Sequence, residues 1–207
     1  MSFSDYPVSE ISTICQGTLY VPSGNDFTVR DLLIDSRRLI HPGHTLFIAL
    51  VTDRNDGHRY IHDLYEKGVR CFLVSRLPEG ETLFPKAAFI VVKDTLTALQ
   101  KLAAFHRNRF SVPVVGITGS NGKTIVKEWL FQLLSPWFRI IRSPKSYNSQ
   151  IGVALSLWKM NPDHTFALFE AGISLPGEME KLAGMIRPDI GIFTNIGAAH
   201  DEHFENR

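Results

Sequence analysis

From residue 112 onward, short apolar runs alternate with segments of helical periodicity, and no other feature of the sequence constrains the fold as strongly. The predicted elements follow in chain order: strand 112–118, helix 123–134, strand 138–143, helix 151–160, strand 165–172, helix 176–186 and strand 189–197. Strands that alternate with helices predict βαβ units and a parallel sheet with both faces covered. This half is therefore predicted to be an α/β domain with a parallel sheet.

The sequence of the first half indicates a small, mixed α/β domain. Runs rich in Val, Ile, Leu and Phe predict strands at 29–36, 45–50, 69–75 and 88–94. Helices are predicted at 60–68, where a glycine ends the pattern, and at 95–110. The boundary is predicted near residues 111–113, which gives domains at 1–111 and 112–207.

The composition argues against several classes of protein. With 44% hydrophobic and 21% charged residues the chain can form a core, and its net charge of +1 argues against nonspecific nucleic-acid binding. Cys15 and Cys71 lack metal-ligand spacing and indicate reduced thiols rather than a disulfide framework. The first residues show no signal-peptide pattern, and no apolar run is long enough to span a bilayer. We therefore expect a cytoplasmic protein.

The chain ends at Arg207, soon after the last predicted strand and a polar loop. Parallel sheets usually have helices on both faces, and no closing helix follows that strand. We therefore expect a fragment of a longer protein, in which the second domain is truncated. The alternative is a short sheet of four strands that is complete.

Residues 116–124, GITGSNGKT, connect the predicted buried strand 112–118 to the helix that follows it. Glycines let several backbone N–H groups point at one anion, and a helix N-terminus adds partial positive charge. Ile117 departs from the strict phosphate-loop pattern but still lies in the strand. Unless the segment is an ordinary strand–turn–helix junction, the predicted nucleotide-binding residues are Gly119, Ser120, Asn121, Gly122, Lys123 and Thr124. Lys123 would reach the outer phosphates, and the Thr124 hydroxyl would ligate Mg²⁺.

The carboxyl ends of the next two long strands are predicted to lie at the same edge of the sheet as this loop. Glu170 lies at the end of one strand, and a buried acid there is costly unless it is paired or bound to metal, so it is a candidate Mg²⁺ ligand. The alternative is a carboxylate that caps a neighbouring helix. Asn195 and then His200 follow the last strand, which makes Asn195 a candidate nucleotide contact and His200 a candidate metal or phosphate contact. The alternatives for residues 200–203 are a separate metal site and a solvated loop, and His203 is assigned to the loop.

These segments together resemble the Mur ligase family. In the second half the resemblance rests on GITGSNGKT (116–124), SYNSQIG (146–152), FEAGISLPGEMEKL (169–182) and TNIGAAHDEHF (194–204). In the first half, two segments are similar to the uridine-nucleotide domain of the later muramyl-peptide ligases: DSRRLIHPGHTLFIAL (35–50) and RNDGHRYI (54–61). The resemblance covers nearly the whole chain. It implies an N-terminal uridine-nucleotide domain followed by a truncated P-loop ATPase domain.

Within the family, the motifs are most similar to those of the ligase that adds D-alanyl-D-alanine to UDP-N-acetylmuramoyl-tripeptide, using ATP and Mg²⁺. The resemblance implies that the peptide carboxylate is phosphorylated to an acyl phosphate, from which the amine of D-alanyl-D-alanine displaces phosphate. The ligase that adds the third amino acid to the dipeptide precursor is an alternative. Residues 143–152 also resemble forms of the ligase that are fused to an alanine racemase.

The resemblance also implies roles for individual residues. Lys123 would contact the β- and γ-phosphates, and Thr124 and Glu170 would ligate Mg²⁺. His200 would assist a second Mg²⁺, and Asn148 would contact the transferring phosphate. The residues implied for the uridine-diphosphate site and its surroundings are Ser36, Arg37, Asp56, Gly57 and His58. For Ser36 and Arg37 a polar turn after a strand is the alternative.

The sequence departs from the family pattern at two positions and ends before a third. Ser149 stands where a second Asn is often found, and we expect a tuned site because Ser also donates and accepts hydrogen bonds. Ile125 replaces a second hydroxyl residue, which should leave the Thr124 contact intact. The family's modified lysine would fall beyond Arg207, as would the third domain. We therefore expect that the 207-residue chain alone cannot catalyse the ligase reaction.

Two other functions stay open from the sequence. One is a P-loop kinase that phosphorylates a small metabolite, which would release phosphate without any dependence on an amine. The other is a non-catalytic module that binds a nucleotide sugar. Binding of UDP-muramyl-tripeptide and of ATP would separate them, because a kinase should ignore the uridine ligand.

Overall fold

The structure of the chain is a computed structural model that describes residues 5–21, 26–52, 55–79 and 84–197. Its contacts divide the chain into two compact units, Met1–Leu102 and Ala103–Arg207. The division falls inside a long helix, ahead of the boundary predicted near residues 111–113. Among the described ranges, no helix has the length and apolar character needed to cross a membrane.

The described part of the first unit consists of short strands and helices. In chain order they are β1 (Tyr6–Pro7), α1 (Val8–Cys15), β2 (Thr18–Tyr20), β3 (Thr28–Val29), β4 (Asp31–Leu33), β5 (Thr45–Ile48), β6 (Val51–Thr52), β7 (Asn55–Asp56), α2 (Ile61–Glu66), β8 (Cys71–Val74), β9 (Ala88–Val91) and α3 (Thr95–Asn108), which continues into the second unit. Short 3₁₀ turns lie at Ser36–Arg38, Pro42–His44 and Gly57–Tyr60.

A five-stranded sheet with the order β2-β9-β8-β5-β4 forms the centre of the first unit. Its strands are parallel except β2, which runs antiparallel to β9. Phe47, Phe72 and Phe89 are register partners on adjacent strands. Phe72 stacks on Phe89 with ring centroids 5.2 Å apart and meets Phe47 edge-on at 6.4 Å. This aromatic row favours the observed register, because a slip of one residue would turn each ring to the other face.

The strand predictions for 45–50, 69–75 and 88–94 are confirmed as β5, β8 and β9. The prediction of one strand over 29–36 is wrong, because that segment divides into part of β3, then β4 and the start of a 3₁₀ turn. The side chain of Asp35 accepts a hydrogen bond from the backbone N–H of Arg37 at 3.1 Å. That local bond competes with strand pairing and turns the backbone out of the sheet.

The elements of the second unit alternate as the sequence predicts. They are β10 (Val114–Thr118), α4 (Lys123–Leu134), β11 (Ile140–Arg142), α5 (Gln150–Leu157), β12 (Phe166–Glu170), α6 (Glu178–Ile186) and β13 (Ile190–Phe193). All the pairings in its sheet are parallel, and the strand order is β11-β12-β10-β13. The predicted α/β class with a parallel sheet is therefore confirmed, and α4 begins and ends at the predicted residues.

The strand order places β10 where the direction of the chain reverses. From β10 the chain crosses past β12 to β11, and from β12 it later passes over β10 to reach β13. In open α/β sheets, the carboxyl ends of strands at such a point form a crevice in which ligands bind. The segment that leaves β10, residues 119–122, lies at this crevice.

The alternation of side chains along β12 determines where its acid points. Phe166 and Leu168 pack in a cluster with Leu130 and Phe131 of α4. Side chains two residues apart on a strand lie on the same face of the sheet. Glu170 therefore faces α4, at the carboxyl end of β12.

Candidate functional site

The loop between β10 and α4 has a backbone that only glycine adopts easily at two positions. Gly119 has φ 125° and Gly122 has φ 83°. A Cβ atom on Gly119 would lie 2.2 Å from Thr194 Oγ1, so a larger residue has no room there. Among the described residues, no side chain caps the N-terminus of α4. The backbone N–H groups of its first turn are therefore available to an anion.

A cavity of about 300 Å³ opens at this helix start. The cavity is lined by Ser120, Asn121, Gly122, Lys123, Thr124, Ile125 and Asn148. Six of these residues form one continuous stretch of loop and helix, and Asn148 comes from the segment that precedes α5. The structure therefore brings the predicted loop and the predicted Asn148 to one cavity.

The loop is held in shape by the residues that follow β13. The Asn195 carbonyl accepts a hydrogen bond from Ser120 N at 2.9 Å, and Asn195 Oδ1 accepts one from Asn121 N at 2.9 Å. Thr194 Oγ1 donates to the Asn121 carbonyl at 2.6 Å. In this structure Asn195 bonds to loop amides, so its role as a direct nucleotide contact stays a prediction.

Lys123 is folded back onto the loop. Its Nζ donates hydrogen bonds to the carbonyl of Gly119 and, at 3.2 Å, to the carbonyl of Ser120. A lysine ammonium has three donors and no acceptor, and these two bonds occupy two of them. One donor remains for the predicted contact with the outer phosphates, which stays a prediction.

Thr124 and Glu170 meet across the gap between α4 and β12. Thr124 Oγ1 donates a hydrogen bond to Glu170 Oε2 at 3.0 Å and lies 3.4 Å from Ser146 Oγ. Glu170 is fully buried. The sequence predicts this pair at one edge of the sheet, and the structure brings the two side chains into contact.

A buried lysine completes the surroundings of Glu170. Lys127 Nζ lies 2.8 Å from Glu170 Oε1 as an ion pair, but Oε1 receives no aligned hydrogen bond among the described residues. Lys127 lies on the face of α4 that also carries Leu130 and Phe131. It was absent from the predicted site residues. A lysine within an otherwise apolar helix face was the signal that could have found it.

The oxygen atoms at this position fit Mg²⁺. Glu170 Oε2 accepts one hydrogen bond, from the Thr124 hydroxyl, and Oε1 accepts none among the described residues. The carboxylate therefore keeps lone pairs that could bind a cation. Thr124 and Ser146 add hydroxyl oxygens, and Mg²⁺ prefers such oxygen ligands. Within the described ranges, no cluster of three or more His, Cys, Asp or Glu could hold a metal. His200 lies outside the described residues.

Asn148 and Ser149 have different surroundings. The Asn148 carbonyl accepts a hydrogen bond from Gly172 N at 2.9 Å, and a Cβ on Gly172 would lie 2.9 Å from Asn148 Cγ. Glycine after β12 therefore leaves room for the Asn148 side chain beside the cavity. Ser149 Oγ caps α5 by accepting from Gly152 N at 3.2 Å. Ser149, which stands where the family often has a second Asn, is thus the N-cap of α5.

The predicted uridine residues lie in the first unit, at the carboxyl edge of its parallel strands. Ser36 and Arg37 follow β4, and the 3₁₀ turn with Gly57 and His58 follows the β6–β7 hairpin after β5. A Cβ on Gly57 would lie 2.8 Å from Ala49 Cα, so the turn packs directly on the chain leaving β5. Because β4 and β5 are parallel neighbours, both groups of residues leave the sheet at the same edge.

Arg37 and Asp35 form an exposed pair. Arg37 Nη2 lies 2.9 Å from Asp35 Oδ2, and the Arg37 side chain is 86% exposed. Hydrogen bonds from the Arg37 side chain and backbone lower the pKa of Asp35 to about 2. Because the Arg37 side chain is exposed, water screens the pair, and the guanidinium can leave this aspartate for another anion at little cost.

Asp56 organises the second group of predicted uridine residues. It accepts from His58 N at 2.9 Å, from His58 Nδ1 at 2.6 Å and from Arg76 Nη2. The His58 amide, with Arg76 and the His58 ring, lowers the pKa of Asp56 despite the opposing effect of burial. His58 Nε2 accepts from Ser75 N at 3.1 Å, so the ring proton lies on Nδ1. Arg76 was not predicted, because only the fold brings it to Asp56.

A phosphate-binding loop that joins a buried parallel strand to a helix, at the reversal point of an α/β sheet, defines a P-loop nucleotide-binding domain. Residues 117–207 match the family model of the Mur ligase middle domain. This match and the motifs of the sequence identify residues 117–207 as a Mur ligase middle domain.

Two curated relatives carry the same name, UDP-N-acetylmuramoyl-tripeptide–D-alanyl-D-alanine ligase. The protein of Bacillus subtilis (strain 168) is 34% identical over 204 residues, which are 97% of this chain and 43% of the relative. The Escherichia coli (strain K12) protein is 34% identical over 197 residues, 95% of this chain and 41% of the relative. This chain therefore spans less than half the length of the curated relatives it matches.

Solved structures agree with these similarities. A crystal structure of MurF from Acinetobacter baumannii superposes with a TM-score of 0.87 and 27% identity, over 98% of this chain and 44% of that chain. The MurF ligase of Thermotoga maritima in complex with ADP has a TM-score of 0.73 and 28% identity, over 83% of this chain and 39% of that chain. The fold class predicted from the sequence is confirmed by both.

Proposed function

We propose that this chain provides the nucleotide-sugar-binding and ATP-binding parts of a ligase that joins D-alanyl-D-alanine to UDP-N-acetylmuramoyl-tripeptide. The observation that carries the proposal is the 3.0 Å hydrogen bond from Thr124 to Glu170 beside the uncapped start of α4. The names of the curated relatives support the choice of substrates. The ADP in the Thermotoga maritima structure supports ATP as the phosphoryl donor.

The proposed reaction forms an amide bond in two steps. An oxygen of the peptide carboxylate attacks the γ-phosphorus of ATP and ADP leaves, which gives an acyl phosphate. The amine of D-alanyl-D-alanine then attacks the acyl carbon, and phosphate leaves with the bonding electrons while the amine loses a proton. The first step brings two anions together, so the site must supply positive charge.

The residues of the second unit divide this work. The amides at the start of α4 would bind the triphosphate, and Lys123 would move from the loop carbonyls to its outer phosphates. Mg²⁺ held by Thr124 and Glu170 would supply further positive charge against the β- and γ-phosphates. Asn148 would donate a hydrogen bond near the transferring phosphoryl group. The role of His200 at a second Mg²⁺ stays a prediction.

The residues of the first unit would bind the uridine diphosphate. Ser36 and the exposed guanidinium of Arg37 would contact the diphosphate, since arginine pairs well with phosphate oxygens. Asp56, Gly57 and His58 would shape the neighbouring wall of that site. The division into a substrate domain at 1–111 and an ATP domain at 112–207 is part of this proposal, as is a cytoplasmic location.

Calorimetry on the 207-residue chain tests the proposal with two ligands, UDP-N-acetylmuramoyl-tripeptide and ATP with Mg²⁺. We expect both to bind. Arg37→Ala should weaken only the uridine ligand, and Lys123→Ala should weaken only ATP, so each variant is the control for the other. Binding of ATP alone would favour a small-molecule kinase, and binding of the uridine ligand alone would favour a non-catalytic module. Tighter binding of the dipeptide precursor than of the tripeptide would favour the ligase that adds the third amino acid.

A further inference from the structure

Lys127 lies in the middle of the site, and its side chain is completely buried. A buried ammonium is costly unless it is paired and hydrogen-bonded. Its partners come from two other segments: Glu170 Oε1 at 2.8 Å, the Ser143 carbonyl at 2.8 Å and the Lys145 carbonyl. Glu128 Oε1 also lies 3.3 Å away, but its side chain is 39% exposed. The two carbonyls accept hydrogen bonds from the ammonium, and the Glu170 carboxylate balances its charge as an ion pair.

Both carbonyls belong to the segment 143–149, which leads to the cavity-lining Asn148. Lys145 has φ 51°, a left-handed conformation that is uncommon outside glycine and persists only where surrounding contacts hold it. Ser143 is tied to the same strand end, because its Oγ accepts a hydrogen bond from Glu170 N at 3.2 Å. Lys127 therefore connects the candidate Mg²⁺ ligand Glu170 to the segment that carries Asn148.

We propose that Lys127 is a positioning residue for the Mg²⁺–nucleotide site. Its ion pair with Glu170 Oε1 keeps Oε2 towards Thr124, and its bonds to the two carbonyls keep segment 143–149 at the cavity. This inference rests on the proposed ATP-binding function. The simpler role for Lys127 is to neutralise a buried acid and stabilise the fold. If Lys127 positions the site, the increase in nucleotide affinity that Mg²⁺ causes should depend on Lys127. If Lys127 only stabilises the fold, that increase should not depend on it.

The test uses ADP as the probe, with the 207-residue chain, in EDTA and then in Mg²⁺. Lys127→Met removes the charge and shortens the side chain by only one atom. We expect ADP affinity in EDTA to be unchanged, because the loop amides are intact. The gain in affinity from Mg²⁺ should fall about 10- to 100-fold, as is typical when a partner that orients a metal ligand is removed. A Lys127→Met chain that keeps the full gain would overturn the proposal.

Two further variants separate positioning from stability. Glu128→Gln removes the other carboxylate near the same ammonium without touching Glu170, and it should keep the Mg²⁺ gain. Lys127→Met combined with Glu170→Gln should lose no more of the gain than Glu170→Gln alone, because Lys127 acts through that carboxylate. Additive losses would overturn the proposal. If the wild-type chain fails to bind ADP with Mg²⁺, the proposed function itself fails. This result differs from a failure of the Lys127 proposal, which appears only in the variants.

A measurement on the wild-type chain covers the case in which Lys127→Met does not fold. Backbone hydrogen exchange is followed by mass spectrometry in the ADP complex before and after Mg²⁺ is added. If Lys127 couples Glu170 to segment 143–149, Mg²⁺ should slow exchange in that segment. Residues 178–186 of α6 provide the internal reference. A Mg²⁺ gain in ADP affinity with unchanged exchange at 143–149 would overturn the coupling.

Discussion

Lys123 bonds to the carbonyls of its own loop when no nucleotide is present. Its ammonium bonds to the carbonyls of Gly119 and Ser120, so it stabilises the loop when no phosphate is bound. The ammonium is charged in either bond, but a phosphate oxygen also carries negative charge and therefore attracts the ammonium more strongly than a carbonyl does. We therefore infer that the outer phosphates of a nucleotide compete with the loop carbonyls for Lys123.

Lys123→Met tests this exchange at the scale of one residue. We expect affinity for ATP and ADP to fall about 10-fold or more, since a charge-assisted contact contributes roughly 1.5–3 kcal/mol. AMP, which lacks the β- and γ-phosphates, should bind as it does to the wild type, and it is the control ligand. Calorimetry with the three nucleotides gives the comparison. Equal losses for AMP and ATP would contradict a role at the outer phosphates.

Sequence patterns found the residues whose neighbours in the chain define them. Thr124 follows a glycine loop, and Glu170 ends an apolar strand, so the parallel topology alone predicts that they share an edge. Lys127 and Arg76 escape such patterns, because their partners Glu170 and Asp56 lie far away in sequence. Their roles depend on side-chain packing that only the folded chain specifies.

At the scale of elements, the loop between β10 and α4 depends on the chain that leaves β13. Gly119 lies so close to Thr194 and Asn195 that a Cβ would be 2.2 Å from Thr194 Oγ1 and 3.0 Å from Asn195 N. Gly177, at the start of α6, also has a positive φ of 80°, but nothing lies within 4 Å of its Cβ position. Both glycines have a positive φ, but only Gly119 is also crowded, and its φ of 125° lies further from the left-handed region that other residues can adopt.

Gly119→Ala and Gly177→Ala form a matched pair. Gly177→Ala should cost about 1 kcal/mol of unfolding free energy, which is the strain of a positive φ alone. Gly119→Ala should cost more, roughly 1–3 kcal/mol beyond that, and should also weaken ADP binding because the loop amides shift. Urea unfolding and ADP calorimetry on both variants give the measurement. Equal unfolding costs would show that Thr194 yields easily, against our expectation.

Element boundaries were predicted best where a turn residue and periodicity coincide. The bounds of α4 agree with the prediction, because Gly122 precedes a strong helical pattern. The prediction of a single strand over 29–36 was wrong, because the Asp35 side chain bonds to the backbone N–H of Arg37. A short polar side chain that can bond its own backbone is compatible with either strand or turn. The tertiary pairing of β4 with β5 decides where the strand ends.

At the scale of the whole molecule, the sequence predicts two α/β regions, and the structure has two compact units. The division lies inside α3 rather than after it, because the last turn of α3 bonds to the second unit's own residues. His106 Nε2 donates to the Met160 carbonyl at 2.9 Å, and Arg107 donates to the Ile186 carbonyl at 3.0 Å. A continuous helical pattern does not reveal which of its turns pack on which neighbour.

His106 makes the stability of the second unit sensitive to acid. The ring is fully buried and lies 4.8 Å from Trp158, and burial lowers the pKa of His106 from 6.5 to about 4. The folded state thus favours the neutral ring. This contribution is complete above pH 6.5 and is lost as the pH falls from 6.5 to about 4. A shift of this size corresponds to at most about 3 kcal/mol.

His106→Gln tests the acid sensitivity, since glutamine can still donate to the Met160 carbonyl. All three tryptophans of the chain lie beyond residue 103, so tryptophan fluorescence follows the unfolding of the second unit. We expect the wild type to lose unfolding free energy between pH 7 and pH 4.5, and the variant to lose much less. Some acid sensitivity should persist, because burial also lowers the pKa of His164. An unchanged slope in the variant would assign the effect to other groups.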